Sequence, residues 1–185
     1  MRLFIAINLP ETVKLRLAGA LDALATHDIP ARWVAADALH ITLKFLGELA
    51  DSRVPAVGGA LAAAAQGIPP FDVELGDLGA FPSLARPSIL WVGARAGAAL
   101  GELHQRVERA FIPLGFEAEP RKFHPHVTVA RVNKDGRIRD RSVMDRMRAQ
   151  FDYTAVFRAT SVDLMQSRLG RDRARYEIIE QMELH

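Results

Sequence analysis

Apolar positions follow two different periods along this chain, and the alternation between them predicts its secondary structure. Residues 2–8 are apolar almost throughout and predict a strand, whereas Val13, Leu17, Leu21 and Leu24 recur at the spacing of one helix face. The same reasoning predicts, in order, strand 2–8, helix 11–25, strands 31–35 and 39–46, helix 52–66, strands 71–78 and 88–94, helix 97–112, strands 115–119 and 125–132, helix 140–150, and strands 153–166 and 174–184.

The orders of the two halves can be laid side by side: strand, helix, strand pair with a histidine, helix, and strand pair. Such an order predicts an α+β fold with two similar lobes, each an antiparallel sheet flanked by helices. The 185 residues suit one domain over 1–185, without a linker or low-complexity segment.

Both histidine-bearing strand pairs contain the motif His-x-Thr-x, at residues 40–43 and 126–129. Side chains alternate between the faces of a strand, so His40 and Thr42 share one face, and His126 and Thr128 do the same. If the two strands lie together, they form a polar cleft with two imidazoles and two hydroxyls. The 86 positions between the motifs, and their matching apolar neighbours, favour a paired-histidine site over two structural histidines.

A cleft of this kind suits cleavage of a phosphodiester. One neutral imidazole can take a proton from water while a protonated one donates to the leaving sugar oxygen, because histidine titrates near neutrality. Hydroxyls of Thr42 and Thr128 can bind phosphate oxygens. Lys44, on the histidine face by alternation, and Arg131 can neutralise charge. Strict alternation places Arg131 on the opposite face, and a bulge or strand end is needed to bring it round.

Composition narrows the possibilities further. The chain has no cysteine, which excludes disulfides and thiolate sites, and no apolar run long enough to span a membrane. We therefore expect a soluble, cytoplasmic protein. The net charge is only +2, but residues 121–148 carry a local basic excess that either attracts a phosphate-bearing partner or forms a solvated face: Arg121, Lys122, Arg131, Lys134, Arg137, Arg139, Arg141, Arg146 and Arg148.

These residues resemble a known family. The double motif is similar to that of the 2H phosphoesterase superfamily, and within it to the RNA 2′,3′-cyclic phosphodiesterases, also called 2′-5′ RNA ligase-like proteins. The resemblance covers essentially the whole chain. It includes the opening Arg2-Leu-Phe-Ile-Ala-Ile7, the pair Arg32-Trp33, the segments around both motifs, and a late Ser-x-Leu-Gly that leads to Tyr176.

The resemblance implies a bilobal fold with an active-site cleft between the lobes. It implies hydrolysis of RNA 2′,3′-cyclic phosphate ends, such as those of tRNA fragments, to 2′-phosphates, without metal or organic cofactor. His40 is then the proton donor, His126 the acceptor, and Thr42 and Thr128 the phosphate ligands; spacing alone does not say which histidine is the acid. Some relatives also join RNA halves through a 2′-5′ bond.

Other residues admit two interpretations. Trp33 and Phe123 can stack on a base or pack at the rim, and Lys44 can contact RNA or remain a solvated strand lysine. His124 can form a metal pair with His126, but no third ligand is evident, which favours a neighbouring or rim position.

Three rival functions follow from the same residues. The first is a 2H phosphoesterase for another cyclic phosphate or a 2′-5′ oligonucleotide, which differs only in the cleft walls. The second is an RNA-binding module without turnover, whose biological activity is retained when His40 or His126 is replaced. The third is a metallohydrolase that is inhibited by a chelator. No large exposed apolar stripe is evident, so we expect a monomer.

Overall fold

The computed structural model describes residues 1–133, 138, 140, 142–170 and 174–185. The described chain forms, in order, β1 Arg2–Asn8, α1 Glu11–Ala25, β2 Ala31–Trp33, β3 His40–Glu48, α2 Val54–Ala65, β4 Phe71–Phe81, β5 Ile89–Arg95, α3 Ala99–Phe111, β6 His126–Val132, α4 Val143–Gln150, β7 Ala155–Ala159, β8 Ser161–Leu169 and β9 Ala174–Glu183.

The described strands form one antiparallel sheet in the order β7-β4-β5-β6-β3-β1-β8-β9, with the short β2 paired to β6 beside this path. Strands β7 and β8 stand near opposite ends of the order, yet Thr160 alone separates them along the chain. The sheet must therefore curl until its two ends approach each other. The halves of the sheet meet between β3 and β6, the strands that carry the two motifs.

The main hydrophobic core lies between the four α-helices and one face of this sheet, which we call the helix-covered face. Alternate strand residues such as Ile5, Ile41 and Val127 are fully buried there, against apolar residues of the helices. On the opposite face, which we call the open face, a small cluster of Phe4, Ala6 and Met165 packs apart from that core. Because the helices cover only one face, the polar side chains of the motif strands remain accessible on the other.

The predicted α+β class, with an antiparallel sheet and flanking helices, is confirmed. Two predicted strands are wrong. Residues 115–119 form no strand, because Lys44 and Glu108 bind the backbone carbonyl of Glu117 and the backbone amide of Glu119 in place of a strand neighbour. Residues 153–166 are not one strand, since the chain passes from β7 to β8 at Thr160.

Candidate active site

The two motif strands are neighbours in the sheet. Ile41 on β3 pairs with Val127 on β6, and both side chains are fully buried on the helix-covered face. By antiparallel register, His40 then lies across from Thr128, and Thr42 lies across from His126, all four on the open face. The two imidazoles occupy a diagonal of this square, with Cα atoms about 7–8 Å apart at such positions.

Each motif histidine is held in the same way. Nδ1 of His40 donates to the carbonyl oxygen of Ala38 at 2.8 Å, and Nδ1 of His126 donates to the carbonyl oxygen of His124 at 2.7 Å. A carbonyl can only accept a hydrogen bond, so the proton of each neutral ring is on Nδ1. Nε2 of each ring is then left with a lone pair that can accept a proton.

Burial shifts both imidazoles towards the neutral form. Burial is the main cause that lowers the pKa of His40 to about 4; the bond to Ala38 opposes this shift, while Lys14, His126 and Arg131 add to it. The pKa of His126 is also lowered, first by burial and then by His124, against the effect of its own backbone bond. Both rings are therefore predominantly neutral at pH 7 in the unliganded protein.

A β-bulge at the last residue of each motif reverses the alternation of faces. On β6 the register against β5 shifts between Leu90 and Trp91, so that Val129 and Ala130 are both buried and Arg131 returns to the open face. The sequence required such a bulge for Arg131 to reach the cleft, and the structure contains it.

The bulge on β3 corrects the predicted orientation of Lys44. The register against β1 shifts between Ile5 and Ala6, which turns Lys44 onto the helix-covered face and Phe45 onto the open face. The Lys44 side chain is only 6% exposed, and its Nζ donates to Oε2 of Glu108 at 2.7 Å and to the carbonyl oxygen of Glu117 at 2.9 Å. Lys44 is therefore not available to contact RNA. Phe45 is 70% exposed, although strict alternation from His40 would place it on the helix-covered face with Ile41.

A cavity of about 360 Å³ opens on this face beside the motifs. Its polar lining comes from one histidine, four hydroxyl residues and two arginines, and no carboxylate of the described residues contributes to it. The lining residues are Arg2, Leu3, Phe4, Val34, Ala38, His40, Thr42, Phe45, Gly47, Thr128, Arg131, Ser167 and Tyr176. His126 is not among them; it lies two residues from Thr128 along β6.

Aromatic rings surround both motif histidines. Phe4 lies 4.9 Å from the His40 ring and Tyr176 meets that ring edge-on at 5.1 Å. In the other half of the sheet, Phe81 meets the His126 ring edge-on at 5.0 Å. Of these aromatic residues, only Tyr176 was singled out from the sequence, because Phe4 reads as an ordinary strand residue and Phe81 falls in the predicted connection between strands 71–78 and 88–94.

The remaining predicted contacts have packing partners. Phe123 stacks on His104 with ring centroids 3.9 Å apart, and Trp33 is partly buried against the core. The His124 ring packs on Trp91 at 4.6 Å, and its carbonyl oxygen orients His126. These positions agree with the packing interpretation of Trp33 and Phe123, and with a neighbouring position for His124.

The basic segment is only partly described. Lys134, Arg137, Arg139 and Arg141 lie outside the described residues, while Arg121 pairs with Glu119 and Arg146 pairs with Asp140. Within the described part of the chain, no group of three or more histidine, aspartate or glutamate side chains is arranged to hold a metal ion. Among the same residues, no helix is both long enough and apolar enough to cross a membrane.

A curled antiparallel sheet with one His-x-Thr-x strand from each half, meeting side by side on the open face, defines the 2H phosphoesterase class. The solved structures agree. The structure of E. coli LigT complexed with 3′-AMP superposes with a TM-score of 0.76 at 26% identity, over 99% of this chain and 97% of that chain.

Sequence comparisons give the family. Residues 13–171 match the model of the 2′-5′ RNA ligase superfamily, and the chain belongs to that superfamily. An RNA 2′,3′-cyclic phosphodiesterase from Methanocaldococcus jannaschii is 30% identical over 98% of this chain and 99% of its own length. One from Aeropyrum pernix is 40% identical over 63% of this chain, and one from Geobacillus stearothermophilus is 37% identical over 69%. These two matches span only 66% and 41% of the relatives' own lengths.

Proposed function

We propose that this protein is an RNA 2′,3′-cyclic phosphodiesterase, which opens the cyclic phosphate at an RNA end to leave a 2′-phosphomonoester. The observation that carries the proposal is the square of His40, Thr128, Thr42 and His126, with Arg131 brought beside it by a bulge. The names of the relatives support the substrate class.

The reaction needs one proton removed and one proton delivered. In the proposed mechanism, Nε2 of His126 takes a proton from water as the water oxygen attacks phosphorus. The bond from phosphorus to the 3′-oxygen breaks, and Nε2 of His40 gives that oxygen a proton. A 3′-hydroxyl and a 2′-phosphate result. If an RNA 5′-hydroxyl attacks in place of water, the same steps form a 2′-5′ bond.

The hydroxyls and the arginine bind the phosphate in this mechanism. Thr42 and Thr128 donate to the non-bridging oxygens, and Arg131 offsets the charge that develops on them. Binding of the phosphate also explains how the neutral His40 ring becomes a proton donor. Its pKa of about 4 leaves the free ring neutral, and the anionic phosphate favours uptake of the proton that His40 later donates.

The aromatic residues on the β3 side support this assignment of the two roles. Phe45, exposed at the cavity, and Tyr176 offer ring surface to the base of the terminal nucleotide. The ribose of that nucleotide carries the leaving 3′-oxygen, so its proton donor lies on the same side. His40 is on that side, and His126 lies opposite, where water attacks in line.

The test is hydrolysis of a short RNA that ends in a 2′,3′-cyclic phosphate, in the presence of a chelator. We expect chelator-resistant formation of the 2′-phosphate, with His40→Ala and His126→Ala each slower by about 10²–10⁴-fold, the usual contribution of a positioned acid or base. His27→Ala is the matched control, because His27 is a partly exposed histidine outside both motifs, and its ring is bonded to Gln150. Separation of the 2′- and 3′-phosphate isomers identifies the product.

Three results would contradict the proposal: no turnover by the wild type, formation of the 3′-phosphate, or full activity in either catalytic-histidine variant. Loss of activity with the chelator would favour the metallohydrolase. RNA binding that survives both replacements, without turnover, would favour a binding module.

A further inference from the structure

The cavity beside the motifs is longer than one phosphate. Arg131 lies at the motif end, and Arg2 lines the other end together with Ser167 and Gly47. Along β1, Ala6 pairs with Thr42, and Arg2 is four residues further from the motif. At the rise of an antiparallel strand this separates the Arg2 and Ala6 backbones by about 13 Å. This separation leaves room in the cavity for a second phosphate beside the one at the motifs.

The Arg2 side chain is directed into this cavity by the register of the sheet. Arg2, Phe4 and Ala6 alternate on β1, and Phe4 and Ala6 belong to the open-face cluster, so Arg2 is on that face as well. Ser167 is its partner on β8, and Tyr176 pairs with Ser167 on β9. The guanidinium therefore has a hydroxyl and an aromatic ring in the strands beside it.

Arg2 makes no ion pair with the acidic residue beside it. Its cross-strand partner on β3 is Glu48, whose carboxylate instead lies 4.0 Å from the amino group of Met1. Arg2 is exposed, and within the described residues no ion pair or side-chain hydrogen bond involves it. The described arginines outside the cavity often have carboxylate partners, as Arg95 has in Asp77 and Arg158 has in Asp72. A cation without such a partner, in a cavity to which no described carboxylate contributes, is suited to phosphate.

We propose that Arg2, with Ser167, forms a second phosphate subsite, which binds the internucleotide phosphate on the 5′ side of the terminal nucleotide. This inference rests on the proposed function, in which the cyclic phosphate occupies the motif end and its base lies at Phe45 and Tyr176. The chain from that base leads along β1 and β3 towards Arg2. The substrate class is then an oligonucleotide with a cyclic end, preferred over a cyclic mononucleotide.

The test compares two substrates that differ by one phosphate. These are adenosine 2′,3′-cyclic monophosphate and the adenylyl dinucleotide with the same cyclic end. The wild type should prefer the dinucleotide in kcat/KM, and Arg2→Gln should reduce this preference about tenfold, as loss of one charge-assisted contact implies. A dinucleotide with an uncharged methylphosphonate linkage should be insensitive to the variant. Arg109→Gln, which removes an exposed arginine of α3, is the control and should keep the wild-type preference.

Binding of the corresponding products, adenosine 2′-phosphate and the dinucleotide 2′-phosphate, measures the subsite without turnover. For the dinucleotide, the slope of log affinity against log salt should be less steep in Arg2→Gln by about 0.7, the contribution of one contact to a single strand. If the wild type binds as expected but hydrolyses neither substrate, the proposed function fails and the subsite stands. An equal loss for mononucleotide and dinucleotide, or no loss for either, would overturn the subsite.

Discussion

Replacement of Glu108 by glutamine removes the negative partner of a buried lysine and should destabilise the protein strongly. Lys44 and Glu108 are 6% and 12% exposed, and their charged atoms are 2.7 Å apart. Removing one partner of a buried ion pair costs about 3–5 kcal/mol. Glutamine can still accept from Lys44 and from the backbone amide of Glu119. We therefore expect the lower end, about 3 kcal/mol, and a Tm lower by about 6–12 °C for a chain of this size.

Equilibrium unfolding in urea at pH 7, with thermal unfolding beside it, measures this loss. Glu102→Gln is the matched control. Glu102 lies on the same helix and binds Arg106 at the same distance of 2.7 Å, but its side chain is 56% exposed. Its replacement should cost less than about 1 kcal/mol. The double variant Lys44→Met with Glu108→Leu should recover much of the stability, since it removes both buried charges. Equal losses for Glu108→Gln and Glu102→Gln would refute the reasoning.

This pair also links the two motifs. Lys44 follows the first motif on β3, while Glu108 binds the segment that leads through Phe123 to the second motif. Glu108→Gln should therefore lower kcat more than a stability loss explains, under conditions where the variant is fully folded. An unchanged kcat in folded Glu108→Gln would limit the pair to stability.

Two further predictions follow. Because the pKa values of His40 and His126 are both lowered, kcat/KM should peak on the acid side of pH 6.5, and an optimum above pH 7 would contradict this. The His40 ring binds a proton more readily in the unfolded chain than in the folded protein. The free energy of unfolding should therefore fall by at most about 3 kcal/mol from pH 6.5 to 4, a loss that His40→Gln removes. A Cβ at Gly79 would lie 2.2 Å from the Trp91 ring, so Gly79→Ala should cost about 1–3 kcal/mol in urea unfolding and shift tryptophan fluorescence, whereas Gly19→Ala, with open space around it, should be neutral or stabilising.

Local patterns were sufficient to predict the motif strands. In His40-Ile41-Thr42-Leu43 each residue alternates regularly between polar and apolar, and so does the second copy, so the faces of these residues follow from the sequence alone. The helix over Glu11–Ala25 was predicted with its bounds for the same reason. Contacts within a few residues dominate in both cases.

Non-local contacts explain what the sequence did not predict. The orientation of Lys44 and Phe45 depends on a bulge, and the bulge depends on the partner strand β1. The loop at 115–119 lacks a strand partner because a lysine 73 positions earlier in the chain binds its backbone. Neither partner can be identified from the residues around the affected segment.

The two bulges give the pseudo-symmetric site a direction. In each half, the last motif residue and the residue after it are both buried, and the next residue returns to the open face; this residue is Phe45 in one half and Arg131 in the other. A site with an arginine on both sides would bind a phosphate in either orientation. An aromatic ring on one side and a guanidinium on the other distinguish the nucleoside side of a substrate from its phosphate oxygens. In the proposed reaction, this difference makes His40 the donor to the sugar oxygen and leaves His126 to activate water.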